Sequence, residues 1–265
     1  MKIEGRTALL TGATGGLGRA IAQALAAKGA TLVLSSRKAD ELDTLRNSLP
    51  GDGHRAVVAD LALHGAAQRL IEDAGPVEIL VANAALPASG PLPDFSQDEI
   101  ERALRVNFES PVRMARELIP GMTERGEGHL LFVSSLSGRA ATAGQSLYSG
   151  TKFALRGFAF ALRDDLRASG VGVSLVSPGT IRGAGMWADT GIKALPGMGT
   201  STPEKVANGV VSAIERNRSE VLVAPMRQRI LSRFAGNAPE LSGRLSGAQA
   251  VKISGEVAAT QTDKR

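Results

Sequence analysis

The sequence predicts a single doubly wound α/β domain of Rossmann type, with a mainly parallel seven-stranded sheet and helices on both faces. Three observations carry this. Seven short β-prone apolar runs recur with helical patterns between them, their interiors are continuous rather than alternating, and no repeat or low-complexity linker divides the chain. A length of 265 residues lies within the reach of one such unit.

In chain order the strands are expected at TALLT (7 to 11), TLVLS (31 to 35), RAVVA (55 to 59), EILVA (78 to 82), HLLFVS (129 to 134), VGVSLVS (171 to 177) and EVLVA (220 to 224). Between the first two, RAIAQALAAKG is a run of strong helix formers that stops at Gly29, a natural residue just past a helix end. Ser96 stands three residues before Glu99, the spacing of a capping box, and Pro203 in STPEK suits a first helical turn. The basic stretch MRQRILSRF (226 to 234) reads as a solvated helix face or an oligomer contact, because aromatic residues are not interleaved with its charges as they are in nucleic-acid grooves. We expect the domain to span residues 1–235, with 236–265 a tail that is disordered or contacts a partner subunit.

Composition narrows the function. There is no cysteine, so disulfide and thiolate chemistry are excluded. MKIEGRTALLTG lacks the apolar run of a secretory signal, and no stretch reaches the roughly 18 apolar residues of a membrane span, which makes a cytoplasmic protein with no membrane partner the expectation. The net charge of +5 is scattered among acids, so no nucleic-acid partner is expected, while an excess of positive charge suits a phosphorylated cofactor. His54, His64 and His129 are isolated and share no metal-ligand spacing, so no metal site is expected.

Immediately after the first strand comes TGATGGLG, residues 11 to 18. Glycines there allow a tight turn and let backbone N–H groups and a helix N-terminus approach a pyrophosphate; the absence of a closing Lys-Ser/Thr rules out a P-loop. Two spacings can be read in it, one using Gly12, Gly16 and Gly18 and one using Gly12, Gly15 and Gly18. Further on, Tyr148 is the only tyrosine and stands four residues before Lys152, so on a helix the two share a face and the ammonium can draw the phenol towards ionisation.

Over residues 5 to 225 the chain resembles the compact short-chain dehydrogenase/reductase family. The matching motifs are T-G-x-x-x-G-x-G at the glycine loop, Asp60-Leu61 after the third strand, Asn83 within VANAA, Ser135 thirteen residues before Tyr148, the Y-x-x-x-K itself, and Pro178-Gly179. The resemblance implies that Tyr148 is the general acid or base of hydride transfer between an alcohol and a carbonyl. Lys152 lowers its pKa and holds the cofactor ribose, Ser135 donates to the substrate oxygen, and Asn107 is a fourth catalytic member. Ser134 and Ser137 are rivals of Ser135 that the spacing disfavours. Pro111, four residues after Asn107, cannot bond the Asn107 carbonyl, which leaves that oxygen for a proton relay through Lys152.

Cofactor contacts are implied for Gly12, Thr14, Gly15, Gly16, Leu17, Gly18, Asp60, Leu61, Asn83, Tyr148, Lys152, Pro178 and Ile181. Two departures from the family pattern stand out: VANAA has Ala82 and Ala85 in place of an asparagine and a glycine, and Gly183 replaces a usual threonine, so backbone groups near Ile181 are expected to orient the nicotinamide. No carboxylate ends the second strand. Ser35, Ser36 and Arg37 stand there, and Arg37 is expected to bind the 2′-phosphate of NADP in preference to NAD. The segment 183–203, with Met186 and the only tryptophan, Trp187, reads as a lid over an apolar small-molecule substrate. A homodimer or homotetramer is expected. A cofactor-binding sensor or scaffold without turnover is the alternative on the same fold.

Overall fold

Seven strands and eight α-helices alternate along the chain in a computed structural model that describes residues 1–192, 197–241, 255–257 and 259–260. The strands are β1 (Thr7–Thr11), β2 (Thr31–Ser36), β3 (Arg55–Val58), β4 (Ile79–Ala82), β5 (Gly128–Val133), β6 (Val171–Pro178) and β7 (Glu220–Val223), each within two residues of the apolar run that announces it. All pairs are parallel, and the order is β3-β2-β1-β4-β5-β6-β7.

Every parallel neighbour has to be reached by a crossover, and the helices supply it: α1 (Gly16–Ala27), α2 (Ala39–Ser48), α3 (Ala66–Ala74), α4 (Gln97–Leu104), α5 (Ser110–Arg125), α6 (Ser146–Asp165) and α7 (Pro203–Glu215), while α8 (Met226–Asn237) follows the last strand. Two apolar layers result, because successive strand residues point to opposite faces. Leu10, Val81 and Leu131 pack with Ile21 and Leu25 of α1 and Val210 and Ile214 of α7. Leu9, Leu80 and Phe132 pack with Leu70 of α3, Met114 of α5 and Leu155 of α6. Each buried leucine contributes about 1.5–3 kcal/mol relative to exposure, so the two layers secure the central strands. The edge strands depart from the continuous-burial expectation: Arg55 and Val58 at the ends of β3 are exposed, and β7 is buried only at Val223. A sheet edge has a helix over less of its surface than the centre has.

Helix ends follow local chemistry. The C-cap of α1 is Lys28 and Gly29 follows at φ +81°; the Ser96–Glu99 capping box closes in both directions; Thr202 caps α7, with Pro203 leading the helix. The order of strands reverses between β1 and β4, and at such a switch point the carboxyl ends of neighbouring strands leave a crevice. The glycine loop, Asn83, Ser135 and Pro178 all emerge there.

Candidate functional site

Two adjoining cavities occupy the crevice. The first, of ≈ 480 Å³, is lined by Gly12 and residues 14 to 18 of the glycine loop, by Arg37, and by Asp60, Leu61 and Asn83. The loop can only be built from glycine at three places. Gly12 sits at φ +63°, a Cβ on Gly18 would lie 2.1 Å from the Gly12 carbonyl oxygen, and one on Gly16 would lie 2.3 Å from the Ala184 Cβ. Gly15 would meet the same carbonyl oxygen at 3.4 Å, so the loop does not require it. Close packing thus selects the Gly12, Gly16, Gly18 spacing over the alternative with Gly15. The N-terminal turn of α1 opens into the cavity, where its free N–H groups suit an anionic pyrophosphate.

Asn83 braces this loop. Its Nδ2 donates to the carbonyls of Thr11 (3.0 Å) and Gly12 (3.2 Å), and its own N–H and that of Ala84 donate to the Thr11 hydroxyl, both at 3.1 Å. Asp60 accepts from the Ala62 N–H at 3.0 Å and holds the turn after β3. At the far end of the cavity Arg37 is exposed and has no partner among the described residues. Beside it stands Lys38, a second cation that the sequence reading overlooked although it is the next residue. Lys38 pairs with Glu41 at 2.6 Å, and Glu41 also pairs with Arg19 at 2.8 Å. These cations hold the Glu41 carboxyl below its usual range, Lys38 contributing most, so the acid in the first turn of α2 is already engaged.

The second cavity, of ≈ 300 Å³, shares Leu17, Asn83 and Met186 with the first and contains Ser135, Tyr148 and Lys152. Ser135 ends β5 and accepts from the Ser137 N–H at 3.1 Å. Its rivals line the same cavity with their hydroxyls already engaged: Ser134 Oγ donates to the Lys152 carbonyl at 3.4 Å, and Ser137 Oγ to Gln145 at 3.2 Å. Tyr148 and Lys152 lie one turn apart on α6, with the ammonium 5.6 Å from the phenol ring centre. Lys152 Nζ donates to the Val133 carbonyl at 3.2 Å, which ties α6 to the end of β5.

Burial dominates the protonation of this pair. It pushes the Tyr148 phenol up to about 12, against the downward pull of a hydrogen bond with Ser135, and it pushes the Lys152 ammonium down to about 8. The cost of desolvating the phenolate thus exceeds the pull of the Ser135 hydrogen bond and leaves the phenol above its ordinary range.

Asn107 lines neither cavity. It is buried in a π turn, Arg105–Glu109, between α4 and α5, where its side chain accepts from the Leu86 N–H (2.7 Å) and donates to the Leu86 carbonyl (3.0 Å). The sequence pointed to the Asn107 backbone oxygen, which Pro111 cannot bond; the side-chain clamp on the loop after β4 had no sequence signal. Pro178 and Ile181 line the second cavity from the end of β6. Ile181 bridges to Ser201 through bonds made by Thr180 and Arg182, which turns the N–H and C=O of Ile181 towards the opposite edge, as suits a backbone contact to a planar amide.

Met186 and Trp187 also line this cavity, ahead of a short turn at Ala188–Thr190; residues 193–196 of the expected lid lie outside the described residues. Val257, in the segment expected to be disordered or partner-contacting, is buried against the same cavity of its own chain, and most of the remaining tail is outside the described residues. The histidines serve the fold: His54 accepts from the Leu32 N–H, His64 lies against Arg105, and His129, which burial pushes down to about 3, meets Ser174 at 2.9 Å. Among the described residues there is no cluster of metal-ligating side chains and no helix long and apolar enough to cross a membrane.

Comparison with known proteins agrees with this geometry. The profile for "short chain dehydrogenase" matches residues 6–193. The chain is 36% identical over 227 residues to a ketoacyl reductase, HetN, of Nostoc sp., covering 83% of this chain and 79% of that one. Among solved structures, a short chain dehydrogenase/reductase family protein superposes with a TM-score of 0.77 at 30% identity, over 84% of this chain and 97% of the other. A short-chain dehydrogenase from Sphingobium yanoikuyae in complex with NADPH gives 0.75 at 26% identity, over 94% and 95%.

Proposed function

The chain belongs to the short-chain dehydrogenase/reductase family and is an oxidoreductase of it, and on that premise we propose that it interconverts an alcohol and a carbonyl with NADP. The observation that carries this reading is the convergence of Ser135, Tyr148 and Lys152 in a cavity that shares a wall with the glycine-loop cavity. The dinucleotide supplies the hydride when bound. The glycine loop and the N-terminus of α1 hold its pyrophosphate, Arg37 and Lys38 take the 2′-phosphate, and the Ile181 backbone orients its amide.

At the substrate, Ser135 donates to the carbonyl oxygen as negative charge develops there, and Tyr148 delivers the proton that completes the alcohol. A phenol held above its ordinary pKa keeps that proton until the oxygen becomes basic enough to take it. Lys152, anchored on Val133, holds the ribose hydroxyls and places a positive charge beneath the Tyr148 ring as the phenolate forms. Asn107 keeps the loop at Leu86 in place. Leu136, Ile181, Met186, Trp187 and Val257 give the cavity an apolar wall, which suits an apolar carbonyl compound; the likeness to a ketoacyl reductase makes ketoacyl esters the first class to assay.

The test is oxidation of NADPH and of NADH against ketones, aldehydes and ketoacyl esters. Turnover faster with NADPH is expected; cofactor binding without turnover across the panel would favour a sensor instead.

A further inference from the structure

Helix α8 carries its apolar side outward. A helix on the surface of a domain ordinarily turns an apolar stripe to the core and a polar face to water. In α8 the buried residues are Gln228 and Ser232, one turn apart, whereas Met226, Ile230, Leu231 and Phe234 are exposed to 64%, 59%, 44% and 42%. Polar bonds hold the inner side. Gln228 Oε1 accepts from the Thr180 N–H at 3.1 Å and its Nε2 donates to the carbonyls of Gly199 (2.8 Å) and Met198 (3.3 Å), while Ser232 Oγ donates to the Arg229 carbonyl at 3.0 Å. A buried amide with three such partners cannot rotate out without leaving buried polar groups unpaired, so the apolar side stays outward.

The outward side forms a patch. Met226, Ile230 and Phe234 follow one another at helical spacing with Leu231 beside them, and these four are among only ten large apolar side chains exposed over all the described residues. Such side chains scattered singly need no explanation, but four within three turns of one helix mark a surface that something covers. Charge narrows the choice of cover. On helical spacing Arg229 and Arg233 run along one edge of the stripe, Arg227 stands at the other, and α8 contains no acid. Arg227 reaches the Gly197 carbonyl at 3.3 Å, and Arg229 and Arg233 make no ion pair among the described residues. A second copy docked here by two-fold symmetry would set these arginines against one another with no carboxylate on the helix to pair them. Anionic headgroups satisfy the arginines, and acyl chains take the apolar stripe between them.

We propose that the outward side of α8 docks on the anionic surface of a lipid bilayer, with Met226, Ile230 and Phe234 seated at the boundary of headgroups and acyl chains and Arg229 and Arg233 on lipid phosphates. The sequence expectation of no membrane partner rests on the lack of a spanning run. Lying on a surface asks only for one amphipathic face, and α8 has one. Gln228 lines the substrate cavity from the inner side of the same helix. Docking therefore brings that apolar-walled cavity to within a helix diameter, about 10 Å, of the lipid, where apolar carbonyl compounds partition. The supply of substrate from lipid rests on the proposed reaction, whereas the docking does not.

Sedimentation of the whole chain with vesicles tests this, using phosphatidylcholine alone and phosphatidylcholine mixed with phosphatidylglycerol. Binding to the mixed vesicles and little to the neutral ones is expected. Ile230→Gln with Phe234→Gln should weaken that binding by about tenfold or more, and Arg229→Gln with Arg233→Gln by roughly fivefold for each arginine. None of the four side chains is buried, so both double variants should fold and should turn over a water-soluble ketone as the wild type does. A wild type that stays in the supernatant with the mixed vesicles overturns the docking and leaves the proposed reaction standing. If Ile230→Gln with Phe234→Gln then elutes as a smaller species in gel filtration, the patch joins two copies of the chain instead. Equal binding to the two kinds of vesicle, or equal binding by the wild type and both double variants, also overturns the docking. Vesicle binding in a wild type without carbonyl turnover supports the docking and overturns the reaction alone.

Discussion

The nucleotide cavity and the substrate cavity share a wall and differ in how they are made. The first is centred on near neighbours in sequence, a loop of eight residues whose backbone approach at Gly12, Gly16 and Gly18 only glycine permits, with the ends of β2, β3 and β4 and residues 183 to 186 completing its wall. The second draws on the ends of β5 and β6, the face of α6, the 183–203 segment, Gln228 of α8 and Val257, parts that meet only when the whole domain has formed. Local construction makes a rigid and general cradle, while assembly from distant parts leaves the walls free to differ from one family member to another. Substitutions should therefore act differently at the two ends, on binding and folding at one and on turnover at the other.

The largest effect is expected at the substrate end. Tyr148→Phe removes the proton donor and little else, so kcat should fall by roughly a hundredfold or more while NADP binds as before. Titration of the cofactor beside a single-turnover assay checks both halves. Near-normal turnover would remove Tyr148 from the mechanism and erase the contrast between the cavities.

At the nucleotide end the glycines come next. Gly18→Ala places a Cβ 2.1 Å from the Gly12 oxygen and 2.7 Å from that of Ala13, contacts with backbone that cannot move aside cheaply. It should cost about 1–3 kcal/mol of stability, as overpacking does, and weaken both NADP and NAD. Gly15→Ala, whose Cβ would make an ordinary contact at 3.4 Å from the Gly12 oxygen, should fold with stability close to the wild type. Urea denaturation of the two variants compares them, and equal losses would show that the loop is softer than its contacts imply.

Cofactor choice is a matter of surface charge. Arg37→Ala should weaken NADP by about 1.5–3 kcal/mol, the scale of a hydrogen bond to a charged group, and leave NAD nearly unchanged. Lys38, already paired with Glu41, should matter less than Arg37. Equal losses for the two cofactors in Arg37→Ala would remove that residue from the 2′-phosphate.

What the sequence made legible follows the same division. The seven strands could be placed because each is a short apolar run between turn signals, and the loop from Gly12 to Gly18 because its glycines lie within a few residues of one another directly after a strand. Tyr148, Lys152 and Ser135 were legible through fixed spacing on one helix and one strand end. The clamp of Asn107 on Leu86 was not, since it joins a π turn to a loop that no periodicity connects. Nor was the burial of Gln228, in a run that reads as a solvated helix face or an oligomer contact, because its partners are three backbone groups far away along the chain. Val257 fell in a stretch too poor in large apolar residues to suggest burial. Lys38 is the exception, a local residue left unread.

The comparison is also sharpened through pH. The nucleotide cavity keeps Arg37 and Lys38 at the surface, whereas the substrate cavity buries Lys152 and half-buries Tyr148. Lys152 is held at about 8 in the folded protein against an ordinary 10.5, so between those values the unfolded chain binds a proton that the folded one does not, and stability rises with pH. Tyr148 is held at about 12 against 10, so between those values the folded chain keeps a proton that the unfolded one has lost, and stability falls with pH. Each effect is limited to about 1.4 kcal/mol per pH unit, the slope of a single proton. Unfolding free energies measured from about pH 7.5 to about 10 should therefore climb more steeply in the wild type than in Lys152→Met, which has no ammonium to release. The variant should also be the more stable of the two at the lower end, where the wild type bears the cost of a buried charge, and should lose that advantage as the pH rises. Parallel curves would mean that the ammonium of Lys152 is as well solvated in the folded cavity as in the unfolded chain, and the substrate end would then be no more enclosed than the nucleotide end.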